Sequence, residues 1–292
     1  MISLYAMRMS TRDIHDQLPG LYGIELPVGM ASKITDKILP QAKEWQTRPL
    51  NLVYPFVFID CIHYKAREDG RILSRAAYIV LGVTVDGYKE IPSITVGANE
   101  SSKFWLGMPN DLKNHGVKDV LFFCVDGLPY FKKAIQAVYP QAQIQWCVIH
   151  MLRNSFQYVN YKDLKKFSSD FKAVYNAPTE EAALAELDGI KETRGKKYPY
   201  TISNWEDISS FFQFSDEIRR IIYTTNIIEG LNRQYRKVTK TKSVFPNDTA
   251  LKKMLYLASE NVVKKWTQRY RNWDQVLDQL IVLFGGRLTS CL

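Results

Sequence analysis

Two aspartates follow strand-like apolar runs, and their charge at that position makes them candidate functional residues. Asp60 follows VYPFVFI and Asp126 follows VLFFCV. A carboxylate at the end of an apolar strand is costly to desolvate unless another group offsets the charge, so such residues are often functional. The alternative is a turn-forming aspartate, which suits Asp126 because Gly127 follows it. If the strands are parallel neighbours, about 4.8 Å apart, the carboxylates repel each other. Binding of a cation such as Mg²⁺, which prefers oxygen ligands, would relieve that repulsion.

A third carboxylate lies in the basic segment TTNIIEGLNRQYRK, residues 224 to 237. Helical steps of three and four place five polar residues on one stripe, namely Asn226, Glu229, Arg233, Arg236 and Lys240. An opposing apolar stripe is expected to pack on the core, formed by Ile227, Ile228, Leu231, Tyr235 and Val238. Two interpretations of Glu229 stay open. It closes a capping box with Asn226, or it is a third metal-binding carboxylate beside phosphate-binding cations, which explains the whole stripe.

Cys147 and His150 form a Cys-x-x-His pair in QWCVIHMLRN. As a zinc signal the pair is weak, because a four-ligand site needs a second pair at matching spacing and the other cysteines and histidines are scattered. The alternative is a structural pair at a strand end. The scattered cysteines also indicate buried reduced thiols in a reducing compartment rather than a disulfide framework.

The net charge of +9 is concentrated in one part of the chain. Between Leu231 and Arg271 there are eleven Lys and Arg residues against two acidic ones, interleaved with aromatic residues, namely Tyr235, Trp266, Tyr270 and Trp273. This pattern predicts backbone-directed nucleic-acid binding, although a soluble protein can also be basic without such a partner. There is no signal-peptide pattern and no apolar run near the roughly 20 residues that span a bilayer. We therefore expect a soluble cytoplasmic protein with no membrane partner.

The elements that must position these residues follow from the apolar patterning. Residues 1 to 50 read as short helices, compatible with a helix-turn-helix or with another small helical bundle. A three-strand meander follows, with a hairpin turn at Asp86 and Gly87, and then alternating helices and strands to about residue 150. The rest is predicted to be helical. The expected fold is α/β, with a mixed sheet and helices on its faces.

Several segments taken together resemble the Mutator-type transposases of bacterial insertion sequences, which are DDE recombinases. They include IDCIHYKAREDGR, QWCVIHMLRNS, EIRRIIYTTNIIEGLNRQYRKVTK and SVFPNDTALKKMLYLASENVVKKW. The resemblance runs from about Ile2 to Leu288. It implies an RNase H-like core with a helical insertion between the second Asp and the Glu, and it assigns a catalytic, metal-binding triad to Asp60, Asp126 and Glu229. The family's Cys-x-x-His element falls on Cys147 and His150, as structural or accessory residues.

With the resemblance, the chain divides into four parts. Residues 1 to 50 are the helix-turn-helix-like DNA-binding segment, and residues 51 to 151 are the first part of the RNase H-like catalytic core. Residues 152 to 222 are the helical insertion, and residues 223 to 292 are the basic helical part that carries Glu229. Family members usually carry a further helical region before the point where this chain starts, so a truncated copy is expected.

The resemblance implies metal-dependent DNA cleavage and strand transfer at the ends of an insertion sequence. Two Mg²⁺ ions, for which Mn²⁺ can substitute, would be held by the triad. Asn226, Arg233, Arg236 and Lys240 would bind phosphates of double-stranded DNA, both terminal repeats and target. A homo-oligomer on DNA, associated with the nucleoid in the cytoplasm, is expected. The alternatives are an inactive DNA-binding remnant of such a transposase and a general RNase H-like nuclease.

Overall fold

A computed structural model describes most of the chain. The described residues are 14–16, 27, 29–98, 102–126, 129–148, 150, 156, 159–194, 197, 209–223, 226–240 and 242–288. Much of the predicted helix-turn-helix in residues 1 to 50 lies outside them. Two helices of that segment are described, α1 (Met30–Asp36) and α2 (Leu39–Thr47).

A five-stranded mixed sheet forms the centre of the molecule. Its strands are β1 (Val53–Glu68), β2 (Arg71–Val83), β3 (Lys89–Ala98), β4 (Asp119–Val125) and β5 (Gln143–Trp146). The order across the sheet is β3-β2-β1-β4-β5. The first three strands pair antiparallel, whereas β4 pairs parallel with both β1 and β5. The predicted meander and mixed sheet are confirmed.

Helices cover both faces of this sheet. The helices that follow β3 along the chain are α3 (Ser102–Asn114), α4 (Pro129–Val138), α5 (Tyr161–Tyr175), α6 (Glu180–Arg194), α7 (Asp216–Ile222), α8 (Asn226–Thr239), α9 (Asp248–Val263) and α10 (Trp273–Phe284). One apolar cluster joins the sheet to α3 and α4. A second joins the opposite face to α8, α9 and α10. Burial on both faces explains why β1 and β4 carry nearly continuous apolar runs.

All regular elements described between residues 152 and 222 are helices, as the sequence predicts. Helices α5 and α6 pack on each other through side chains spaced three and four apart, including Phe167, Phe171, Ala183 and Leu187. A short 3₁₀ helix (Ser210–Gln213) precedes α7. In the described part of the chain, none of the helices has the length and apolar character that crossing a bilayer requires.

The predicted hairpin turn between β2 and β3 forms at Asp86 and Gly87. Gly87 has a φ of 83°, in the left-handed region that favours glycine. Its N–H donates to the carbonyl of Thr84 at 2.8 Å. The indole of Trp273, at the start of α10, lies directly against the turn, and its Nε1 donates to the carbonyl of Val85 at 2.8 Å. This contact joins α10 to the end of the sheet.

Helix α1 is held to α9 by a buried lysine. Lys253 is 4% exposed, and its Nζ donates to Thr35 Oγ1 at 3.1 Å and to Asp36 Oδ1 at 2.7 Å. The charge count assigned this residue to a basic, DNA-facing segment, but its ammonium faces the protein instead. The reason is the position of Lys253 on the core side of α9, next to Met254 and Leu255.

We expect Lys253→Ala to lower the free energy of unfolding by about 2–3 kcal/mol, because it removes a buried, hydrogen-bonded charge and its packed stem. Lys252→Ala is the matched control, since Lys252 is exposed, and we expect a change below about 0.5 kcal/mol. Urea denaturation of the two variants measures both. Equal losses would contradict the role assigned to Lys253 in holding α1.

Candidate active site

The parallel pairing of β1 and β4 places the two predicted aspartates side by side. Ile59 pairs with Val125, so Asp60 and Asp126 follow the last pair of the two strands at the same edge. The condition on which the metal-site interpretation depends, that these two strands are parallel neighbours, is therefore met. The expectation that Asp60 ends its strand is wrong, because β1 continues to Glu68 in the hairpin with β2. What ends at this point is β4, and the end of β4 exposes the edge of β1.

The carboxylate of Asp60 is largely enclosed and hydrogen-bonded through both oxygens. Its Oδ1 accepts from the backbone N–H of Cys61 at 2.7 Å, and its Oδ2 accepts from Nδ2 of Asn232 on α8. Burial first, and then the charge of Asp126, raise the pKa of Asp60 to about 6. The Cys61 N–H, His150 and Arg236 act in the opposite direction. Two carboxylates are therefore crowded enough to disfavour ionisation of one of them.

His150 lies between the second aspartate and the predicted glutamate. Its Nδ1 is 2.7 Å from Asp126 Oδ1, and its Nε2 is 3.6 Å from Glu229 Oε1. The hydrogen bond with Asp126, together with one to Cys147, raises the pKa of His150 to about 10. The imidazole is therefore cationic at neutral pH. Asp60, Asp126 and Glu229 come from three different elements, β1, the end of β4 and α8, and one positive charge lies among them.

Helix α8 has the two faces that the sequence predicts. Ile228, Leu231 and Tyr235 are buried, whereas Ile227 and Val238 are partly buried. The polar stripe is exposed at Asn226, Arg233, Arg236 and Lys240 and half-buried at Glu229. Lys240 follows the last residue of the helix. The carboxylate thus lies where the cationic stripe meets the strand ends.

Asn232 is a site residue that pattern analysis missed. It is 0% exposed and donates to Asp60 across 172 residues of sequence. Its Oδ1 has no hydrogen-bond partner among the described residues. The available signal was an amide on the apolar face of α8, one turn after Glu229. A buried amide is costly without a partner, so its presence on that face indicated a polar contact.

Cys147 lies beside the same carboxylates. Its backbone N–H donates to the carbonyl of Val125 at 2.9 Å, which continues the pairing of β4 and β5 past Trp146, the last residue of β5. The thiol is completely buried, and Sγ accepts the backbone N–H of His150 at 3.5 Å. Cys147 and His150 are therefore brought together with Asp126 at the edge of the sheet.

The basic segment from Leu231 to Arg271 is mostly exposed, but not all of the aromatic residues interleaved with it reach the surface. Tyr235 and Trp273 are core residues, 0% and 2% exposed, so the expectation that they interleave with the cations on a binding face is wrong. Both belong to apolar faces that pack on the sheet. Trp266 and Tyr270 are partly buried, with Lys89 Nζ at 5.9 and 6.0 Å from their ring centroids.

The pKa of Asp60 predicts a pH-dependent stability in metal-free buffer. Because this pKa is about 6 in the folded protein against a usual 3.8, ionisation of Asp60 costs folding free energy above pH 6, and the cost disappears below about pH 4. We expect Asp60→Asn to raise the free energy of unfolding by about 1–2 kcal/mol at about pH 8. The buried Oδ1 of Asn232 can accept a bond from the introduced amide. Urea denaturation with a chelator present, at about pH 8 and pH 4, should show this advantage shrinking at the lower pH. An advantage independent of pH would contradict the repulsion.

Comparisons with known proteins agree across the chain. The model of the transposase Mutator family matches residues 1–269. The chain is 42% identical over 291 residues to the transposase for insertion sequence element ISRM3 of Rhizobium meliloti (strain 1021), covering 98% of this chain and 73% of that relative. It is 36% identical over 315 residues to a probable transposase for an insertion sequence element of Corynebacterium diphtheriae, covering 100% and 92%. The chain therefore belongs to the Mutator family of insertion-sequence transposases.

Proposed function

We propose that this transposase cleaves DNA and transfers the cut strand at the ends of an insertion sequence by a DDE mechanism. The observation that carries the proposal is the convergence of Asp60, Asp126 and Glu229 around His150, at the inner end of the exposed cationic stripe of α8. Carboxylates this close together repel one another, and a bound cation relieves that repulsion.

An RNase H-like assignment of the core is supported by the sheet. Three antiparallel strands are followed by two that run parallel to the first, in the order β3-β2-β1-β4-β5. The first aspartate is on the central strand and the second follows its parallel neighbour. The helices between residues 152 and 222 separate these aspartates from Glu229, as expected for a helical insertion.

The residues present fit two Mg²⁺ ions, with Mn²⁺ as a substitute. Three carboxylates supply hard oxygen ligands, and the raised pKa of Asp60 marks a repulsion that a bound cation relieves. When bound, the ions would activate water or a DNA 3′-hydroxyl and stabilise the leaving oxygen. Asp60, Asp126 and Glu229 hold them, and Asn232 keeps the carboxylate of Asp60 oriented towards α8.

The stripe on α8 brings DNA to this site. Arg233, Arg236 and Lys240 are exposed cations that neutralise phosphates, and Asn226 adds an amide donor at the start of the helix. Arg236 is close enough to lower the pKa of Asp60, so a phosphate held there lies near the carboxylates. Joining two element ends requires two such sites, which favours a homo-oligomer on double-stranded DNA. A cytoplasmic, nucleoid-associated location follows from that substrate.

Cleavage and joining of a labelled duplex that carries the element's end tests the proposal. We expect joined product with Mg²⁺ and none with Ca²⁺, because Ca²⁺ takes a larger and more flexible coordination shell. Binding without any product in either metal would identify a DNA-binding remnant. Cut strands without joined ends would identify a general RNase H-like nuclease.

A further inference from the structure

Among the described residues, one mixed group of donors stands out beside the triad. One ligand atom each from Asp126, Cys147 and His150 lie within 4.8 Å of one another. We propose that these three side chains bind a thiophilic divalent cation, with Zn²⁺ as its representative. This is a different ligand set from the three carboxylates of the DDE site, with which it shares only Asp126.

The donor chemistry selects the class of ion. Mg²⁺ takes oxygen ligands, whereas a thiolate and an imidazole nitrogen suit Zn²⁺. Three protein ligands with a fourth position left to water form a familiar zinc geometry. The present spacing is compact enough that rotation of side chains, rather than movement of strands, brings the donors around one ion. On binding, the thiol of Cys147 and the coordinating nitrogen of His150 each release a proton.

The position of His150 suits a zinc ligand. Its Nδ1 faces Asp126 at 2.7 Å, and its Nε2 faces Glu229 at 3.6 Å. If Nδ1 binds the ion together with Asp126, the proton on Nε2 remains directed at a carboxylate. Zinc-bound histidines commonly donate their other N–H in this way, which orients the ring and raises its basicity as a ligand. Glu229 therefore acts as the supporting carboxylate in the zinc-bound form.

Backbone hydrogen bonds also hold Cys147 in position beside the other two ligands. The N–H of Cys147 is bound to Val125 at the end of β4, which holds the residue next to Asp126. Sγ accepts the backbone N–H of His150 at 3.5 Å, which fixes the sulfur beside the histidine. The competing explanation is that the thiol only closes this turn. Serine can also accept that N–H but is a poor ligand for a soft ion, so substitution by serine separates the two explanations.

A spectroscopic titration with Co²⁺, which replaces Zn²⁺ and gives a thiolate charge-transfer band, tests the binding without DNA. We expect a band that saturates at one equivalent in the wild-type chain and is removed by added Zn²⁺. Cys147→Ser should abolish the band, and His150→Ala should weaken Co²⁺ affinity by at least about tenfold. Cys61→Ser is the matched control, since Cys61 is half-buried and Sγ has His63 Nε2 at 3.9 Å as a neighbouring donor. It should keep the band.

An unchanged band in Cys147→Ser, or its absence from folded wild-type protein, would overturn the site. Circular dichroism of every variant checks folding, and Asp126→Asn offers a second, near-isosteric variant in which the band should persist at weaker affinity.

The binding of Zn²⁺ does not depend on the proposed function. A consequence that does rest on it is that Zn²⁺ and Mg²⁺ compete for Asp126, so Zn²⁺ should inhibit strand joining. Joining without a cobalt band would reject the zinc site alone, and a band without joining would reject the DDE proposal alone.

Discussion

Glu229→Gln, Asp126→Asn and Asp60→Asn should each reduce strand joining by at least about 10³-fold. An amide has nearly the shape of the carboxylate but neither its charge nor its affinity for Mg²⁺. In the proposed mechanism the three carboxylates hold the same metal ions, so a double variant should lose little more than a single one. Single-turnover joining of a labelled element end, measured with Mg²⁺, gives the rates.

DNA affinity should survive these substitutions, because they leave untouched the exposed cations of α8 that we propose bind phosphates. The salt dependence of duplex binding should therefore match that of the wild type. Asp188→Asn, on the solvent side of α6 with a side chain 64% exposed, is the control for loss of an acidic charge elsewhere. Measurable joining by any one triad variant would remove that residue from the triad. Loss of DNA binding in all three would instead indicate a collapsed site.

Gly87→Ala should cost about 3–5 kcal/mol of the free energy of unfolding. A Cβ at this position would lie 2.4 Å from Cγ of Trp273, and the φ of 83° is itself strained for alanine. The indole cannot move away, because it is 2% exposed and packs edge-on against Phe56 with ring centroids 6.2 Å apart. Relief of the clash therefore requires the turn or α10 to shift.

Gly70→Ala measures the cost of alanine at a positive φ without the clash against Trp273. Gly70 also has a positive φ, 76°, but nothing lies within 4 Å of the added Cβ. We expect this variant to lose only about 1–2 kcal/mol. The difference between the two variants, measured by urea denaturation, reports the contact with Trp273. If both lose the same amount, the indole does not pack against the turn as described.

Patterns among neighbouring residues determine much of this fold, independently of contacts between distant elements. The alternation and the Asp86–Gly87 turn predict the hairpin of β2 and β3, because turn chemistry and side-chain period are properties of adjacent residues. The two faces of α8 follow from helical spacing in the same way. The parallel pairing of the strands before Asp60 and Asp126 was only a condition of the metal-site interpretation, and the pairing of β1 with β4 meets that condition.

The sequence by itself thus determined the elements, the faces of α8 and the residues worth testing. Only the tertiary structure decided that β1 continues past Asp60, that Asn232 donates to Asp60 across 172 residues, and that His150 lies between Asp126 and Glu229. It also decided that Lys253 and Trp273 are internal. Periodicity assigns a residue to a face, but the partner of that face is set by how distant elements pack, because side-chain contacts between them depend on the whole arrangement of sheet and helices.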